Sequence, residues 1–175
     1  MSFETTKSEE AWSGKMVKVR VDTVRFDDDG EEAQREIVEH PGAVAIVAHD
    51  GEDLFLVAQP REPVGAQALV ELPAGKLDEE GEEPLETAKR ELAEEISKGA
   101  RTWEHLATFF TSPGFSDERV LIYMATDLYD SPAESRENER IEVLRHPLAK
   151  LDEAIADCRD GKSLIGLLWF KAYRA

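Results

Sequence analysis

The segment RELAEEIS, at residues 90–97, carries three glutamates within five positions. Residues four apart lie on one face of a helix, so Glu91 and Glu95 are predicted to point the same way, with Glu94 to one side. Neighbouring carboxylates repel one another unless one is protonated or a cation joins them, and such oxygen ligands suit Mg²⁺ or Mn²⁺. The segment is therefore a candidate metal site. The alternative is a solvated helix face on which Arg90 forms surface ion pairs worth only tenths of a kcal/mol.

Two segments outside this helix favour the metal site over the solvated face. The turn PAG, at residues 73–75, precedes the helix and can direct a backbone carbonyl toward the same site. The loop SPGFSDE, at residues 112–118, carries Asp117 and Glu118 between two predicted strands. Carbonyl and carboxylate oxygens are the ligands that a hard cation prefers. The three segments together therefore indicate metal-dependent chemistry.

The helix that presents the glutamates is predicted to run from Pro84 to about Ile96. Proline is tolerated in the first turn of a helix, where its missing N–H group has no intrahelical partner to lose. An apolar stripe at helical spacing would face the core, and it consists of Leu85, Ala88, Leu92 and Ile96.

Hydrophobic patterning predicts strands on both sides of this helix in the sequence. Residues 16–26 and 33–40 are expected to form an antiparallel hairpin around the turn DDDG, and residues 1–14 to be frayed or loosely attached. Residues 43–49 and 54–61 are strongly apolar and predict a central hairpin buried on both faces. Residues 69–78 are predicted to be a short strand running into a Pro-Gly turn. The remaining predicted elements are strands at 102–112, 118–128 and 140–148, a polar loop at 129–139, a helix from 149 ending at Gly161, and a closing apolar helix from 163. This order predicts a mixed α/β fold.

Composition and charge exclude several classes of protein. The 175 residues are 41% apolar, enough for a domain with a core, and no apolar run approaches the ~20 residues of a membrane span. The first residues lack the pattern of a signal peptide, and a single cysteine, Cys158, excludes an internal disulfide framework. A formal charge of −17 argues against a nucleic-acid partner. We therefore expect a cytoplasmic protein that binds neither nucleic acid nor membrane.

The glutamate segment and the residues before it resemble the Nudix box, Gly-x5-Glu-x7-Arg-Glu-hydrophobic-x-Glu-Glu-x-Gly-hydrophobic. Gly75, Glu82 and RELAEE at residues 90–95 match its charged core. The chain departs from the pattern at three points. Six residues instead of five separate Gly75 from Glu82, Ser97 replaces the glycine, and Lys98 replaces the final hydrophobic residue.

The resemblance extends beyond the box, over about residues 12–170. The stretches REIVEHPGAVAIVAHD, VELPAGKLD and FFTSPGFSDERV, with the preceding hairpin, are similar to the ADP-ribose pyrophosphatase branch of the Nudix hydrolases. This resemblance implies an α/β/α Nudix sandwich with a mixed sheet, preceded by an N-terminal antiparallel β hairpin exchanged in a homodimer. It divides the chain into residues 1–40, for dimerisation and substrate-side strands, and residues 41–175, the Nudix hydrolase domain.

The resemblance also implies an activity, the Mg²⁺-dependent hydrolysis of ADP-ribose to AMP and ribose 5-phosphate, with Mn²⁺ as a substitute ion. Glu91, Glu95 and the Ala74 carbonyl are then the expected metal ligands. Glu94 either ligates through water or a second ion, or pairs with Arg90. Arg90 is expected to orient the glutamates during catalysis, while Glu82 is expected to pair with Arg90 or to hold the loop.

By the same resemblance, the SPGFSDE loop supplies the general base. Glu118 matches the position of the catalytic glutamate of this branch, and Asp117 is its competitor for the role. Gly114 is expected to let the loop move over the substrate.

The remaining substrate contacts are also taken from the resemblance. Arg61 matches the arginine on the substrate phosphates, although a strand-end arginine could equally be a surface residue. Asp78 is expected on the substrate side. Trp12, Met16 and Val17 are the candidates for an adenine pocket near the N-terminal strands, although Trp12 could instead only anchor the tail.

Two functional alternatives stay open. The chain could hydrolyse another nucleoside diphosphate sugar, or it could be a non-catalytic Nudix-like module that senses such a ligand.

The C-terminal end of the predicted helix departs from the family pattern. Ser97 stands where the family has a glycine that turns the chain out of the helix. We predict that Gly99 takes over this turn and lengthens the helix by two residues.

Overall fold

The computed structural model describes residues 2–133 and 140–174. Within these ranges the strands are β1 (Phe3–Ser13), β2 (Lys18–Phe26), β3 (Glu32–Glu39), β4 (Ala43–His49), β5 (Asp53–Arg61), β6 (Ala66–Glu71), β7 (Ala74–Lys76), β8 (Lys98–Phe110), β9 (Arg119–Asp130) and β10 (Glu142–Pro147). The helices are α1 (Pro84–Ile96), α2 (Leu151–Asp157) and α3 (Gly161–Arg174), and short 3-10 helices cover Glu62–Val64 and Leu148–Lys150. Part of the predicted polar loop, residues 134–139, lies outside the described residues.

The chain divides into two compact units. The smaller unit contains Met1–Gly42 and Phe110–Arg119, and the larger contains Ala43–Phe109 and Val120–Ala175. No described helix is both long enough and apolar enough to cross a membrane.

The larger unit is built on a mixed sheet in the order β10-β5-β4-β9-β8, with β6 added to β5 and β7 added to β4. β4 runs parallel to β9 and antiparallel to β5 and β7. Side chains of successive residues in a strand point to opposite faces, and β4 supplies one apolar core with Ala45 and Val47 and another with Val44 and Ile46. The predicted central hairpin, buried on both faces, is therefore confirmed.

Helices cover both faces of this sheet. Leu167 and Phe170 of α3 belong to one core, which also includes residues of α2. Ala88, Leu92 and Ile96 of α1 belong to the other. The layers are thus helix, sheet and helix, which confirms the expected α/β/α sandwich with a mixed sheet. α2 ends at Asp157, and Gly161 begins α3 instead of ending the preceding helix as predicted.

The helix α1 has the predicted bounds, but its exit differs from the prediction. It ends at Ile96, and Ser97 adopts the left-handed conformation with φ 54° and ψ 34°. The Ser97 amide donates to the Ala93 carbonyl at 3.0 Å, which closes the helix. The prediction that Gly99 takes over this turn is therefore wrong. Gly99 lies buried in β8, where a Cβ atom would overlap the ring of Tyr129, so close packing explains this glycine.

The smaller unit is an antiparallel sheet in the order β1-β2-β3. The predicted hairpin is present as β2 and β3, paired from Lys18 with Glu39 to Arg25 with Glu32. The prediction that residues 1–14 are frayed is wrong, because β1 pairs with β2 along its length. Every residue of β1 is exposed, so backbone pairing and polar cross-strand contacts hold it, and no apolar pattern marks it in the sequence.

Candidate active site

The acidic face of α1 is buried at its two central carboxylates. Glu91 is 4% exposed and Glu95 is 8% exposed. Glu91 and Glu95 lie one helical turn from each other, on the same face of α1, as the sequence predicts. Burying a charged group is costly unless it is paired or hydrogen-bonded, so these two positions are not the solvated helix face of the alternative interpretation.

Arg90 joins the carboxylates around this face. Its Nη1 atom lies 2.6 Å from Oε1 of Glu91 and 3.3 Å from Oε2 of Glu94. Its Nε and Nη2 atoms donate to Glu82 at 3.2 and 3.0 Å, and Glu82 also accepts from the Thr87 hydroxyl at 2.8 Å. The hydrogen bonds to Glu82 raise the pKa of Arg90 further above its ordinary value. One guanidinium thus serves three carboxylates, and both the predicted Glu82–Arg90 pair and the Glu94–Arg90 pair are present.

The PAG turn lies directly against the two buried glutamates. The Ala74 amide donates to Oε2 of Glu95 at 2.9 Å. A Cβ atom built on Gly75 would overlap the Cγ, Cδ and Oε1 atoms of Glu91. The carboxyl group of Glu91 therefore packs directly on the Gly75 backbone, and any side chain at position 75 would force it to move. The structure thus brings together Ala74, Glu91 and Glu95, while the Ala74 carbonyl as a ligand stays a prediction.

The donor set of this face fits a hard divalent cation, because two buried carboxylates lie one helical turn apart beside a backbone turn. In the described part of the chain, however, no three His, Cys, Asp or Glu side chains are arranged so that they could hold a metal ion. Instead, the Ala74 amide donates to the carboxylate of Glu95, and Arg90 donates to those of Glu91 and Glu94. An ion held by Glu91, Glu94 and Glu95 together would require these side chains to turn away from their present partners.

Arg61, the predicted phosphate ligand, lies at the end of β5 and is 40% exposed at its side chain. Its Nε and Nη2 atoms donate to the two carboxylate oxygens of Glu71 at 2.6 and 2.8 Å. These hydrogen bonds raise the pKa of Arg61, with smaller contributions from the charges of Asp160 and Glu95. The guanidinium is thus held by Glu71 at the end of β5.

Sequence reasoning did not single out Glu71, which pairs with the predicted phosphate ligand Arg61. It is 1% exposed and pairs with both Arg61 and Lys162. The only signal was a charged residue within the apolar stretch LVELPAG. Asp78, predicted on the substrate side, is exposed, and its carboxylate lies 3.2 Å from the Lys76 ammonium.

Glu118, the predicted base, belongs to the smaller unit. Its Oε2 atom accepts from the Thr111 hydroxyl at 2.7 Å, and its amide donates to the Ser116 hydroxyl at 3.2 Å. Its Oε1 atom lies 3.5 Å from Nδ1 of His40. The carboxylate is thus held at the start of β9 by loop residues and by the residue after β3.

Asp117 fastens the loop to β3. Its carboxylate accepts from the His40 amide at 2.9 Å, and its own amide donates to the Val38 carbonyl at 3.3 Å. The Phe115 carbonyl accepts from the Val38 amide at 2.7 Å. Asp117 therefore stabilises the attachment of this loop to the end of β3. A Cβ atom on Gly114 would meet nothing within 4 Å, so packing does not require glycine there.

The predicted adenine-pocket residues surround the β1–β2 turn. Trp12 and Met16 are 56% and 58% exposed. The Gly14 amide donates to the Val17 carbonyl at 3.0 Å, and the Trp12 ring packs so closely on Gly14 that a Cβ atom would overlap it. Their role toward a nucleotide stays a prediction.

Comparison with known proteins gives the family. Residues 38–164 match the family model of the NUDIX domain. The chain is 42% identical to the ADP-ribose pyrophosphatase of Bacillus subtilis (strain 168), over 81% of this chain and 76% of that protein. It is 49% identical to the ADP-ribose pyrophosphatase of Mycobacterium tuberculosis, over 72% of this chain and 60% of that protein. These similarities confirm the branch that the sequence resembles.

Two further similarities extend along nearly the whole chain. The methanol dehydrogenase activator of Bacillus methanolicus is 38% identical over 98% of this chain and 94% of that protein. A crystal structure described as an ADP compounds hydrolase has a TM-score of 0.87, covers 99% of this chain and 94% of that one, and is 23% identical, which shows the shared fold. On the family match and on these identities, the chain belongs to the Nudix hydrolases.

Proposed function

We propose that this protein hydrolyses the diphosphate of ADP-ribose to AMP and ribose 5-phosphate and that the reaction depends on Mg²⁺, for which Mn²⁺ can substitute. The observation that carries the proposal is the buried pair Glu91 and Glu95 against the PAG turn. Arg61, at the end of β5 and 40% exposed at its side chain, adds a cation suited to phosphate. The two relatives named ADP-ribose pyrophosphatase support this substrate.

Hydrolysis of a diphosphate needs charge neutralisation, an oriented water and a base. Mg²⁺, when bound, supplies positive charge that stabilises the negative charge developing on the diphosphate oxygens. Glu91, Glu95 and the Ala74 carbonyl would hold the ion, and Glu94 would ligate through water or a second ion. Arg90, which pairs with Glu91 and Glu94, would orient these glutamates toward the ion.

The substrate is held and activated by residues outside α1. Arg61 binds the phosphate oxygens, and Glu118 accepts the proton of the attacking water. Asp117 is the weaker candidate for this base, because its carboxylate and amide fasten the loop to β3. Asp78 and Gly114 lie on the substrate side, and Met16 and Val17 contact the adenine.

We also propose that the N-terminal strands are exchanged in a homodimer. β1 is the edge strand of its sheet, and all its residues are exposed in a single chain. Its apolar side chains include Phe3, 64% exposed, and Trp12, 56% exposed. An exposed edge strand that carries aromatic residues is suited to pairing with a second chain. The mass of the native protein in solution, measured by light scattering, tests this: a monomer at all concentrations would contradict it.

The activity is tested with a panel of nucleoside diphosphate sugars in Mg²⁺, in Mn²⁺ and in EDTA, with AMP release as the measurement. ADP-ribose should be hydrolysed in either metal and not in EDTA. Preference for another sugar would assign the chain to that substrate. If the protein hydrolysed none of the panel yet bound one member tightly, the non-catalytic sensor would be the correct function.

The metal site is tested by Glu95→Gln, with Glu86→Gln as the matched control. Glu86 is on the same helix but is exposed and pairs with Lys89 at 2.7 Å. Glu95→Gln should abolish Mg²⁺-dependent AMP release while the circular dichroism spectrum is retained, and Glu86→Gln should be active. Equal loss in both variants would show that the buried face has no special role.

A further inference from the structure

A buried charged cluster lies where β5, β6 and the start of α3 meet. Its centre is Glu71, whose carboxylate is 1% exposed. Arg61 donates to both oxygens of Glu71 in a two-pronged pair, and the Lys162 ammonium also contacts Oε2. Lys162 in turn lies 2.9 Å from Asp160. Two cations and two carboxylates therefore balance one another in this cluster.

The rest of the cluster ties these charges to the backbone. Asp160 accepts from the amide and the hydroxyl of Ser163 at 3.0 and 2.6 Å. The Ser163 hydroxyl accepts from the Leu72 amide at 2.7 Å. The residue next to Glu71 is thus bound to the first turn of α3. Glu71 consequently has a fixed position.

Glu71 is held in its charged form. Burial alone would raise its pKa, but the hydrogen bonds from Arg61 and the charge of Lys162 outweigh burial and keep the pKa below its ordinary value. A charged carboxylate accepting two parallel N–H groups is the arrangement that best fixes the plane of a guanidinium.

We propose that Glu71 is a positioning residue for substrate binding: it presents the guanidinium of Arg61 to the diphosphate in a preset orientation. This inference rests on the proposed function, because it assumes that Arg61 meets phosphate. The pair uses Nε and Nη2 of Arg61 toward Glu71. The opposite edge of the guanidinium carries further N–H donors, and the side chain is 40% exposed. Without Glu71, the substrate itself would have to order a flexible arginine, and affinity would fall.

A purely structural role makes a different prediction. If Glu71 only neutralised its two neighbouring cations, its removal would lower stability and leave substrate affinity unchanged. Lys162→Met is the matched control, because it removes a charge from the same cluster but leaves the Arg61–Glu71 pair. It should lower the melting temperature and leave KM within twofold of the wild-type value.

The test variant is Glu71→Gln, measured by steady-state kinetics with ADP-ribose and Mg²⁺. KM should rise about tenfold, equivalent to about 1.4 kcal/mol, with kcat little changed. In an Arg61→Gln background, which itself raises KM, adding Glu71→Gln should cause no further rise, because the two residues act as one unit. An unchanged KM in folded Glu71→Gln, or additive effects in the double variant, would overturn the proposal.

A second variant covers the case in which Glu71→Gln fails to fold. Glu71→Gln/Lys162→Met removes one negative and one positive charge, so the charge balance of the cluster is retained. Its KM should also rise about tenfold. A value of KM equal to that of Lys162→Met would overturn the proposal.

Binding of ADP-ribose in EDTA, followed by calorimetry, separates this inference from the proposed function. Binding by the wild type that weakens in Glu71→Gln, without any hydrolysis in Mg²⁺, would retain the positioning role and refute the activity. Hydrolysis with the same KM and dissociation constant in both proteins would refute the positioning role alone. Absence of both binding and hydrolysis in the wild type would refute both.

Discussion

Gly75→Ala should disable the proposed metal site while leaving the fold largely intact. A Cβ atom at this position would stand well inside 3.0 Å of three atoms of the Glu91 side chain. Carbon atoms in ordinary contact are about 3.5 Å apart, so the carboxyl group has to retreat by roughly 1 Å or more. Because Glu91 is 4% exposed and packed on this turn, the retreat disturbs both packing and ligand position.

The expected magnitudes follow from this displacement. Overpacking of this kind typically costs ~1–3 kcal/mol of stability. A misplacement of about 1 Å near the reacting atoms can cost on the order of 100-fold in rate. We therefore expect kcat/KM for ADP-ribose to fall by about 100-fold at saturating Mg²⁺, with a higher Mg²⁺ concentration needed for half-maximal rate. The assay is AMP release across a Mg²⁺ titration, with thermal unfolding of the same samples.

Gly161→Ala is the matched control for this variant. A Cβ atom on Gly161 meets nothing within 4 Å, and the residue begins α3 without a left-handed φ. It should change stability by less than ~1 kcal/mol and leave kcat/KM unchanged. Shortening the opposing side chain, in Gly75→Ala/Glu91→Asp, should recover stability but not activity. If Gly75→Ala alone kept kcat/KM within threefold of wild type, the close packing of Glu91 on Gly75 would have no role in catalysis.

Three further outcomes are expected. Ser97→Gly should raise the free energy of unfolding by ~1 kcal/mol, because Ser97 has φ 54° and glycine adopts this conformation without strain. An unchanged or lower melting temperature would contradict this prediction. Glu118→Gln should lower kcat by ~10²–10⁴-fold with little effect on KM, and nearly full turnover would remove Glu118 from the role of base. The depressed pKa values of Glu71 and Asp160 predict stability that is complete above their ordinary pKa values and is lost as pH falls through the depressed ones. Urea unfolding between pH 5 and 2 should therefore show a steeper loss in wild type than in Glu71→Gln/Lys162→Met, and equal slopes would refute this.

Elements with a strong apolar period were predictable from the sequence. α1 has the predicted bounds because its apolar stripe and first-turn proline both agree with the helix. β4 and β5 were predictable as buried strands because both faces of the sheet are covered, which requires apolar residues at successive positions. In these elements local pattern and tertiary packing demand the same side chains.

Features that depend on contacts between distant residues were not predictable. β1 has no apolar period, since its stability comes from pairing with β2, and its sequence therefore looked like a loose tail. The exit of α1 depends on a left-handed serine, which costs ~1–2 kcal/mol and is outweighed by the tertiary packing around Ile96 and Gly99. The partner of Arg61 depends on the antiparallel pairing of β5 with β6, which no local pattern specifies.

The segment from Glu71 to Gly75 explains why the two halves of the candidate site keep a fixed relation within the larger unit. Glu71 holds the guanidinium of Arg61, while the Ala74 amide holds Glu95 and the Gly75 backbone lies against Glu91. One segment of five residues thus contacts Arg61, the expected phosphate ligand, through Glu71. It contacts the expected metal ligands Glu95 and Glu91 through Ala74 and Gly75. The segment is itself fixed, because the Ile46 amide donates to the Pro73 carbonyl at 2.8 Å in the centre of the sheet. A diphosphate carries its charges a fixed distance apart, so a rigid backbone segment between the two binding groups is what its recognition requires.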